Sequence, residues 1–263
     1  MTDFHVLADA RGAVPHPEVR RISLSDLAEA LRAGIDDFAA MPSHIIFIII
    51  VYPLVGVVLA AWTSSASALP LIFPLASGFA LIGPFAAIGL YEISRRREMK
   101  LDASWRDALN VRKSPALPAI AWVGAVMVAI FIAWMLVAQG LYVWLFGPTP
   151  PGSITEFATN VFYTAEGRTL IVLGNLAGLA FAIMALCTGV VAFPLLLDRD
   201  VGAWAAVTTS WRAALANPLE IAVWGLIVAA LLVIGSLPVF AGLIIVLPVL
   251  GHATWHLYRK LIA

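Results

Sequence analysis

The sequence has little charge and almost no cysteine. Charged residues make up only 12% of the 263-residue chain, whereas an average soluble domain carries about 25%. The 16 basic and 16 acidic residues cancel to a formal net charge of zero without forming a dense basic block, which excludes a typical nucleic-acid-binding protein. The single cysteine, Cys187, cannot form an intrachain disulfide or a cysteine-based zinc site.

Long apolar runs make up most of the sequence. Hydrophobic residues make up 62% of the chain and the mean hydropathy is +0.95, which excludes a disordered chain and an ordinary soluble enzyme. A helix needs about 20 apolar residues to cross a hydrocarbon core of about 30 Å. Four uncharged runs meet this requirement, at residues 45–62, 69–91, 118–146 and 169–197.

A fifth apolar stretch, residues 219–257, is too long for a single crossing. Its middle carries Gly-Ser-Leu-Pro at 235–238, and proline interrupts a helix because it has no amide hydrogen. This stretch predicts two helices joined by a tight turn. The expected fold class is therefore an all-α membrane protein with six transmembrane helices arranged as three helical hairpins.

The basic residues predict the orientation of these helices. If both termini are cytosolic, every lysine and arginine except Arg168 falls on the cytosolic side. Basic residues near the ends of spans resist translocation, so this asymmetry predicts cytosolic termini. The N-terminal segment is acidic and lacks the basic start and apolar centre of a secretory signal, so we expect it to be retained.

A short amphipathic segment precedes each predicted hairpin on the cytosolic side. In the third segment, Val201, Trp204, Thr208, Trp211 and Leu215 share one face of a helix. Such helices either lie at the membrane interface with the apolar stripe in the lipid, or pack against the spans from below. The apolar positions of the first two segments are Leu24, Leu27, Leu31, Ile35 and Phe38, and Leu101, Trp105 and Leu109.

The amphipathic segments also form an internal repeat. Ser-Trp-Arg-Asp-Ala-Leu at residues 104–109 matches Ser-Trp-Arg-Ala-Ala-Leu at 210–215, and Ala-Leu-Arg-Ala-Gly-Ile at 30–35 is a weaker copy. Because repeats define the building unit of a fold, we predict one interfacial helix plus one hairpin, used three times. A polar tail, residues 1–22, precedes a single domain, residues 23–263, whose repeat units are roughly 23–93, 100–197 and 200–260.

One long loop, residues 147–168, lies opposite the cytosol. Ser153 and Glu156 have the spacing of a helix capping box. Ile154, Phe157, Val161 and Phe162 then form an apolar face. We therefore expect a short helix on the periplasmic surface.

Few polar side chains fall at membrane depth. Glu92, Asp198 and Glu220 lie at the cytosolic ends of spans, so no midplane carboxylate is available for coupling to protons or sodium ions. This argues against an ion-driven transporter. Gln139 and Asn175 lie deeper, and we expect each to make a hydrogen bond between helices.

His252 and His256 are the strongest candidates for site residues. Their spacing places two imidazoles on one helix face, where they could bind a metal ion or offer a haem ligand. A stable metal site needs further ligands, and none is identifiable nearby in the sequence. With Trp255 and Tyr258 they also have the composition of an interfacial aromatic belt, the interpretation that we favour. The sequence holds no catalytic serine, metalloprotease or phosphate-binding motif, and we expect no cofactor.

Several different short motifs are distributed along nearly the whole chain. They are Val19-Arg20-Arg21-Ile22, then Tyr91-Glu92 and Arg95-Arg96, and finally Pro248, His252, Trp255, Tyr258 and Arg259. Together they resemble an uncharacterised family of bacterial six-helix integral membrane proteins, described as a domain of unknown function and sometimes mislabelled as cytochrome c oxidase subunit I. The resemblance implies an inner-membrane location. It assigns no activity and transfers no functional residue.

These observations favour a protein without enzymatic activity. We expect an accessory or assembly protein of a larger inner-membrane complex, whose partners are the lipid bilayer and other membrane-protein subunits, with no nucleic acid. The alternative is a small transporter or channel for an apolar or lipid-like solute, with a path near Pro84, Pro194 and Pro248. A third alternative is haem or metal binding at His252 and His256.

Overall fold

The computed structural model describes residues 17–41, 66–79, 83–104, 107–238 and 240–263. Within these ranges the chain is helical and contains no strand, which confirms the predicted all-α class. Two 3-10 helices cover Ala66–Leu71 and Asp107–Lys113. The α-helices are Leu24–Ala40 (α1), Ile72–Phe79 (α2), Gly83–Ala86 (α3), Ile88–Glu98 (α4), Leu117–Phe146 (α5), Ile154–Tyr163 (α6), Ala165–Gly189 (α7), Ala192–Asp198 (α8), Ala203–Ala216 (α9), Pro218–Ser236 (α10) and Leu243–Leu261 (α11).

Three helical segments are long and apolar enough to cross a membrane. They are α5 with 30 residues, α7 continued by α8 over Ala165–Asp198 with 34 residues, and α10 with 19 residues. These segments coincide with the predicted third, fourth and fifth spans. The predicted first span, residues 45–62, lies outside the described residues. Six spans and the hairpin arrangement stay predictions.

The predicted second span is not one continuous helix. Its residues are divided among the first 3-10 helix, α2, α3 and α4. Pro70, Pro74 and Pro84 lie in the first three of these elements, and each lacks the amide hydrogen that would bond to the preceding turn. An uninterrupted apolar run therefore gives an interrupted helix where prolines recur this closely.

The predicted sixth span, α11, has two different halves. Its first half is apolar, but the second carries His252, His256 and the basic pair Arg259 and Lys260, and the helix does not qualify as a span by length and composition. A turn precedes it, since α10 ends at Ser236 and α11 begins at Leu243, with Val239 outside the described residues; the predicted helical hairpin stays a prediction. Gly242 permits this turn, because a Cβ there would lie 2.8 Å from the Cα of the opposing glycine at 235.

The chain divides into two compact units. Unit 1 contains residues 1–51, 83–126 and 186–263, and unit 2 contains residues 52–82 and 127–185. The three repeat units inferred from the sequence are a different division of the chain and stay a prediction.

Unit 1 is built around α11. Helix α1 lies against it so closely that a Cβ on Gly34 would be 2.7 Å from the Ala253 Cα. Helix α4 lies against another part of α11, where Leu90 fills the space beside Gly251. Small residues therefore bring three helix backbones together, and the side chains of Val191–Leu197 complete a fully buried core.

Unit 2 is built around Trp134. This side chain is buried, and its Nε1–H donates to the Pro74 carbonyl at 2.9 Å. The ring lies against Gly178 and has its centroid 5.8 Å from that of Phe181.

An extended arm, residues 17–23, connects the beginning of unit 1 with its end. Val19 pairs with Ile262 in an isolated antiparallel bridge. The Asn217 side chain holds the arm as well, because it accepts from the Ile22 N–H at 2.9 Å and donates to the Arg20 carbonyl at 3.0 Å. One amide thus satisfies two backbone groups that have no helical partner.

The third predicted amphipathic segment is present as helix α9, Ala203–Ala216. Its small face, including Ala206 and Ala213, is buried in unit 1. Trp204 and Leu215 on the apolar stripe are 72% and 73% exposed. Trp211 lies between them and donates from its indole N–H to Thr188 Oγ1 at 3.2 Å. The two ends of the stripe therefore face outward, while Trp211 between them also contacts α7.

The other two amphipathic segments depart from the prediction in part. In α1 the buried residues are Leu27, Ala30, Gly34 and Asp37, whereas Leu24 and Ile35 of the predicted stripe are exposed. The face that packs is thus shifted toward smaller residues. The second segment is the 3-10 helix Asp107–Lys113, and Trp105 lies outside the described residues.

The short helix predicted opposite the cytosol is present as α6. Ser153 caps it, since its hydroxyl accepts from the Glu156 N–H at 3.1 Å. The Glu156 carboxylate accepts from the Gly152 N–H at 2.9 Å instead of from the Ser153 N–H that the capping box predicts. Ile154 and Phe162 on its apolar face are exposed, as for a helix lying on a membrane surface.

The contact between α1 and α11 gives a direct test of the packing. We expect Gly34→Ala to lower the free energy of unfolding in detergent by about 1–3 kcal/mol, because its Cβ meets helix backbone that cannot rotate away. Gly174→Ala in α7 is the matched control, since a Cβ there meets nothing within 4 Å. Equal thermal unfolding temperatures for the two variants would contradict the close helix contact.

Candidate functional site

A cluster of polar side chains lies where α1, α4 and α11 meet in unit 1. The polar cluster consists of Asp37, Ser94, Arg97, His252 and His256. Ser94 Oγ donates to Asp37 Oδ2 at 2.6 Å and lies 2.8 Å from His252 Nδ1. His256 Nε2 lies 2.9 Å from the same Asp37 oxygen, and Arg97 Nε lies 3.1 Å from Asp37 Oδ1. The five side chains therefore form one connected set of contacts.

Helical spacing aligns the members of the polar cluster. His252 and His256 are four residues apart in α11, and Ser94 and Arg97 are three apart in α4, so each pair shares a helix face. Asp37 lies in the last turn of α1 on the face that packs in unit 1. The close approach of α1 to α11 brings its carboxylate within reach of both pairs.

Asp37 is the buried charge around which the cluster is arranged. Only 6% of its surface is exposed, and an ion buried this deeply needs compensating partners. Burial opposes ionisation, but hydrogen bonds from His256 and Ser94 outweigh it and hold the pKa of the Asp37 carboxyl below its usual value. The Arg97 guanidinium provides the opposite charge, so the carboxylate is both ionised and paired.

Further buried ion pairs surround the polar cluster. Glu92 and Arg95 are fully or almost fully buried in α4 and share two hydrogen bonds of 2.8 and 3.1 Å. The Tyr258 hydroxyl donates to Asp198 at 2.6 Å. These contacts connect α4 internally and α11 with α8, so the polar half of α11 is satisfied within unit 1.

The edge of this network is more exposed. Lys260 Nζ lies 2.9 Å from an Asp26 oxygen and 2.6 Å from a Glu29 oxygen, which joins the end of α11 to the start of α1. Hydrogen bonds from the Ser23 side chain and Lys260 lower the pKa of Asp26 to about 2. Exposed pairs of this kind contribute less than about 1 kcal/mol each.

The chemistry of the polar cluster is limited by its burial. A hydroxyl placed between a carboxylate and an imidazole has the parts of a proton relay. Ser94 and His252 are both fully buried, however, so a substrate could reach them only if the helices separated. In the described arrangement the cluster fastens α1, α4 and α11 together.

The aromatic-belt interpretation of His252 and His256 is wrong. A belt places its rings at the lipid-facing surface, whereas His252, Trp255 and Tyr258 are buried in unit 1. Among the described residues, no group of three or more histidine, cysteine, aspartate or glutamate side chains could hold a metal ion. Each imidazole contacts a polar group of the cluster, and metal binding by the two histidines stays a prediction.

Sequence analysis missed Asp37, Ser94 and Arg97. Asp37 follows Asp36, which is exposed, and nothing in the sequence separates the two carboxylates. The one available signal was Gly34, since a small residue one turn earlier marks a face of close helix approach. Ser94 precedes a run of arginines that is readily interpreted as a cytosolic anchor.

The two amides predicted at membrane depth also behave differently from expectation. Asn175 is exposed on α7, and its Nδ2 donates to the carbonyl of Ile171 in the same helix at 2.7 Å. It therefore does not make the predicted hydrogen bond to another helix. Gln139 is exposed on α5 and has no such bond within the described part of the chain.

Comparison with known families supports the membrane assignment. Residues 72–198 match a family described as "Predicted integral membrane protein (DUF2189)". This match confirms the resemblance to integral membrane proteins of unknown function. It includes Ser94 and Arg97 of the polar cluster, together with α5, α7 and α8. No curated protein and no solved structure matches the chain.

Removing the buried charge tests the role of the polar cluster. We expect Asp37→Asn to lower the free energy of unfolding by about 2–4 kcal/mol at neutral pH, because Arg97 loses its buried counter-charge. Asp36→Asn is the matched control, since this neighbouring carboxylate is exposed and should change stability by less than about 0.5 kcal/mol.

The effect of Asp37→Asn should depend on pH. Because the folded state lowers the pKa of Asp37, the stabilisation is fully present above the unfolded value of about 3.9 and is lost as the pH falls further. Unfolding measured in detergent from neutral to acidic pH should show the wild type approaching the variant below about pH 4. A constant difference between them across this range would contradict the ionised state of Asp37.

Proposed function

We propose that the protein is a non-enzymatic accessory or assembly subunit of a larger complex in the bacterial inner membrane, with both termini in the cytosol. The observation that carries the proposal is the outward aromatic stripe of α9. A rigid cytosolic layer that presents such a stripe is suited to binding another subunit at the membrane surface.

The stripe is held in a fixed position relative to α10. Only Asn217 separates α9 from α10, one of the helices long and apolar enough to span. The opposite, small-residue face of α9 is packed in unit 1, so Trp204 and Leu215 cannot turn inward without breaking that packing. Tryptophan is enriched in protein interfaces and among the residues that contribute most to binding.

The buried polar groups of unit 1 support a structural role. Asp37, Glu92 and Asp198 each bond to a basic or hydroxyl group of the same unit. These contacts join α1, α4, α8 and α11 into one framework. We infer that this framework supports the docking surface and that the chain itself catalyses no reaction.

The packing around two of the prolines favours the accessory role over the transporter alternative. Pro194 lies in a segment, Val191–Leu197, whose side chains are fully buried against their neighbours. Pro248 in α11 is buried as well. A path for an apolar solute along these prolines would require this core to open.

The proposed orientation can be tested by cysteine labelling. The only native cysteine is Cys187, and Cys187→Ala gives a background without thiols. In that background, a membrane-impermeant maleimide added to spheroplasts should label Thr149→Cys, in the exposed loop after α5. Lys113→Cys, in the exposed cytosolic 3-10 helix, should react only after permeabilisation. The opposite labelling pattern would reverse the topology.

The proposed partner contact can be tested by purification from native membranes in mild detergent. A defined membrane protein should co-purify with the wild type and should be reduced at least several-fold by the double variant Trp204→Ala and Leu215→Ala, measured by isotope-labelled mass spectrometry. Leu226→Ala is the control, because Leu226 is similarly exposed but lies within α10. Recovery of the wild type without any partner, or equal recovery with both variants, would exclude docking through α9.

A further inference from the structure

The outward face of α5 carries a polar residue within an apolar seam. The α5 seam consists of Ala129, Ile132, Leu136 and Gln139, which are all exposed within unit 2. Leu136 is 68% exposed, although it is a large apolar residue. The residues are spaced three, four and three apart, which is the heptad spacing by which two helices pack along their length.

Gln139 lies inside the hydrocarbon region when α5 crosses the bilayer. Trp122 and Trp144 are exposed near the two ends of α5. They are 22 residues apart, about 33 Å along the helix, which matches aromatic belts at the two interfaces. Gln139 is about 7.5 Å inside Trp144. Helical side chains tilt toward the N-terminus, so its amide is directed away from the nearer interface.

The amide of Gln139 needs a hydrogen-bonding partner at this depth. The described residues provide none, whereas Asn175 is satisfied by the carbonyl of Ile171 in its own helix. Lipid tails have neither donors nor acceptors, so a primary amide unpaired in hydrocarbon is costly. A polar group from outside the described residues must therefore cover the α5 seam.

We propose that the α5 seam binds the same seam of a second copy of this chain, so that two Gln139 amides meet. An amide is both donor and acceptor, and two of them form a reciprocal pair of hydrogen bonds. A twofold axis along the membrane normal places Gln139 at the same depth in both copies. Ala129 is small, and a Cβ on Gly140 would meet nothing within 4 Å, so the helices can approach closely.

This inference requires only that α5 crosses the bilayer, and it is independent of the accessory role. Two other occupants compete with a second copy. One is the predicted first span, residues 45–62, and the other is a helix of a different protein. In a second copy related by the twofold axis, symmetry places the partner amide at the same depth as Gln139. Neither of the other two occupants has a polar group placed at this depth by symmetry.

Disulfide cross-linking in native membranes identifies the occupant. In the Cys187→Ala background, Ile132→Cys or Leu136→Cys should give a cross-linked dimer on mild oxidation. Val137→Cys is the control, because Val137 is exposed on α5 but lies off the seam. Mixing two differently tagged copies establishes that the product contains two molecules of this chain.

A dissociation measurement then tests the role of the amide. Energy transfer between labelled copies in lipid vesicles should show that Gln139→Ala weakens dimerisation roughly 3- to 30-fold, as expected for interhelical hydrogen bonds in membranes. Gln139→Asn should retain most of the affinity. Asn175→Ala should leave it unchanged, because that amide already bonds within its own helix. Unchanged thermal unfolding of each variant shows that the chain remains folded.

Three results would overturn the proposal. They are a monomer at all accessible protein-to-lipid ratios, equal cross-linking from Val137→Cys and the seam positions, and a cross-link from the seam to a cysteine placed within residues 45–62 of the same chain. A monomer would show that there is no dimer interface, and equal cross-linking would show that the interface does not lie at the α5 seam. The third result would show that the seam makes an intramolecular contact. Loss of the accessory role changes none of these outcomes.

Discussion

A carboxylate that is buried and ionised sets the arrangement of unit 1. Asp37 is stable there only while Ser94, Arg97 and His256 surround it, and these partners come from two other helices. Helices α1, α4 and α11 must therefore assemble together or not at all. The same requirement explains why the second half of α11 is polar, since its imidazoles and basic groups are matched inside the protein and are not presented to lipid. The small residues at the α1 and α11 crossing make this possible by bringing the charges within bonding distance.

Local patterns predicted much of the fold. The apolar runs that became α5, α7 and α10 are long and lack charges, and in lipid the backbone must bond within its own helix. The turn between α10 and α11 followed from glycine and proline, and the cap of α6 followed from Ser153, because both are effects of neighbouring residues on the backbone. The stripe of α9 was also predictable, because its helical spacing is visible in the sequence. The direction that the stripe faces, however, required the structure.

The remaining features depend on contacts between distant parts of the chain. Hydropathy did not reveal that the second predicted span is divided into several elements. Nor did it reveal the contacts of these elements with distant residues, such as the bond that the Trp134 indole N–H donates to the Pro74 carbonyl. The composition of α11 resembles an aromatic belt, and only its packing against other helices shows that these rings are buried. Asp37 and His256 are 219 residues apart, and their contact follows from helix packing that no local pattern specifies. The polar cluster was therefore predictable only through two of its members, His252 and His256.

The arm at residues 17–23 has a consequence for the order of assembly. Its bridge partner, Ile262, lies 243 residues after Val19 in the chain, so it is synthesised much later than the arm. Ile22 of the arm and Asn217 are likewise 195 residues apart, so α5 and α7 are synthesised before the arm has either partner. Docking of the arm is therefore a late step of assembly, and until it occurs the arm lacks both its bridge to Ile262 and its bonds to Asn217.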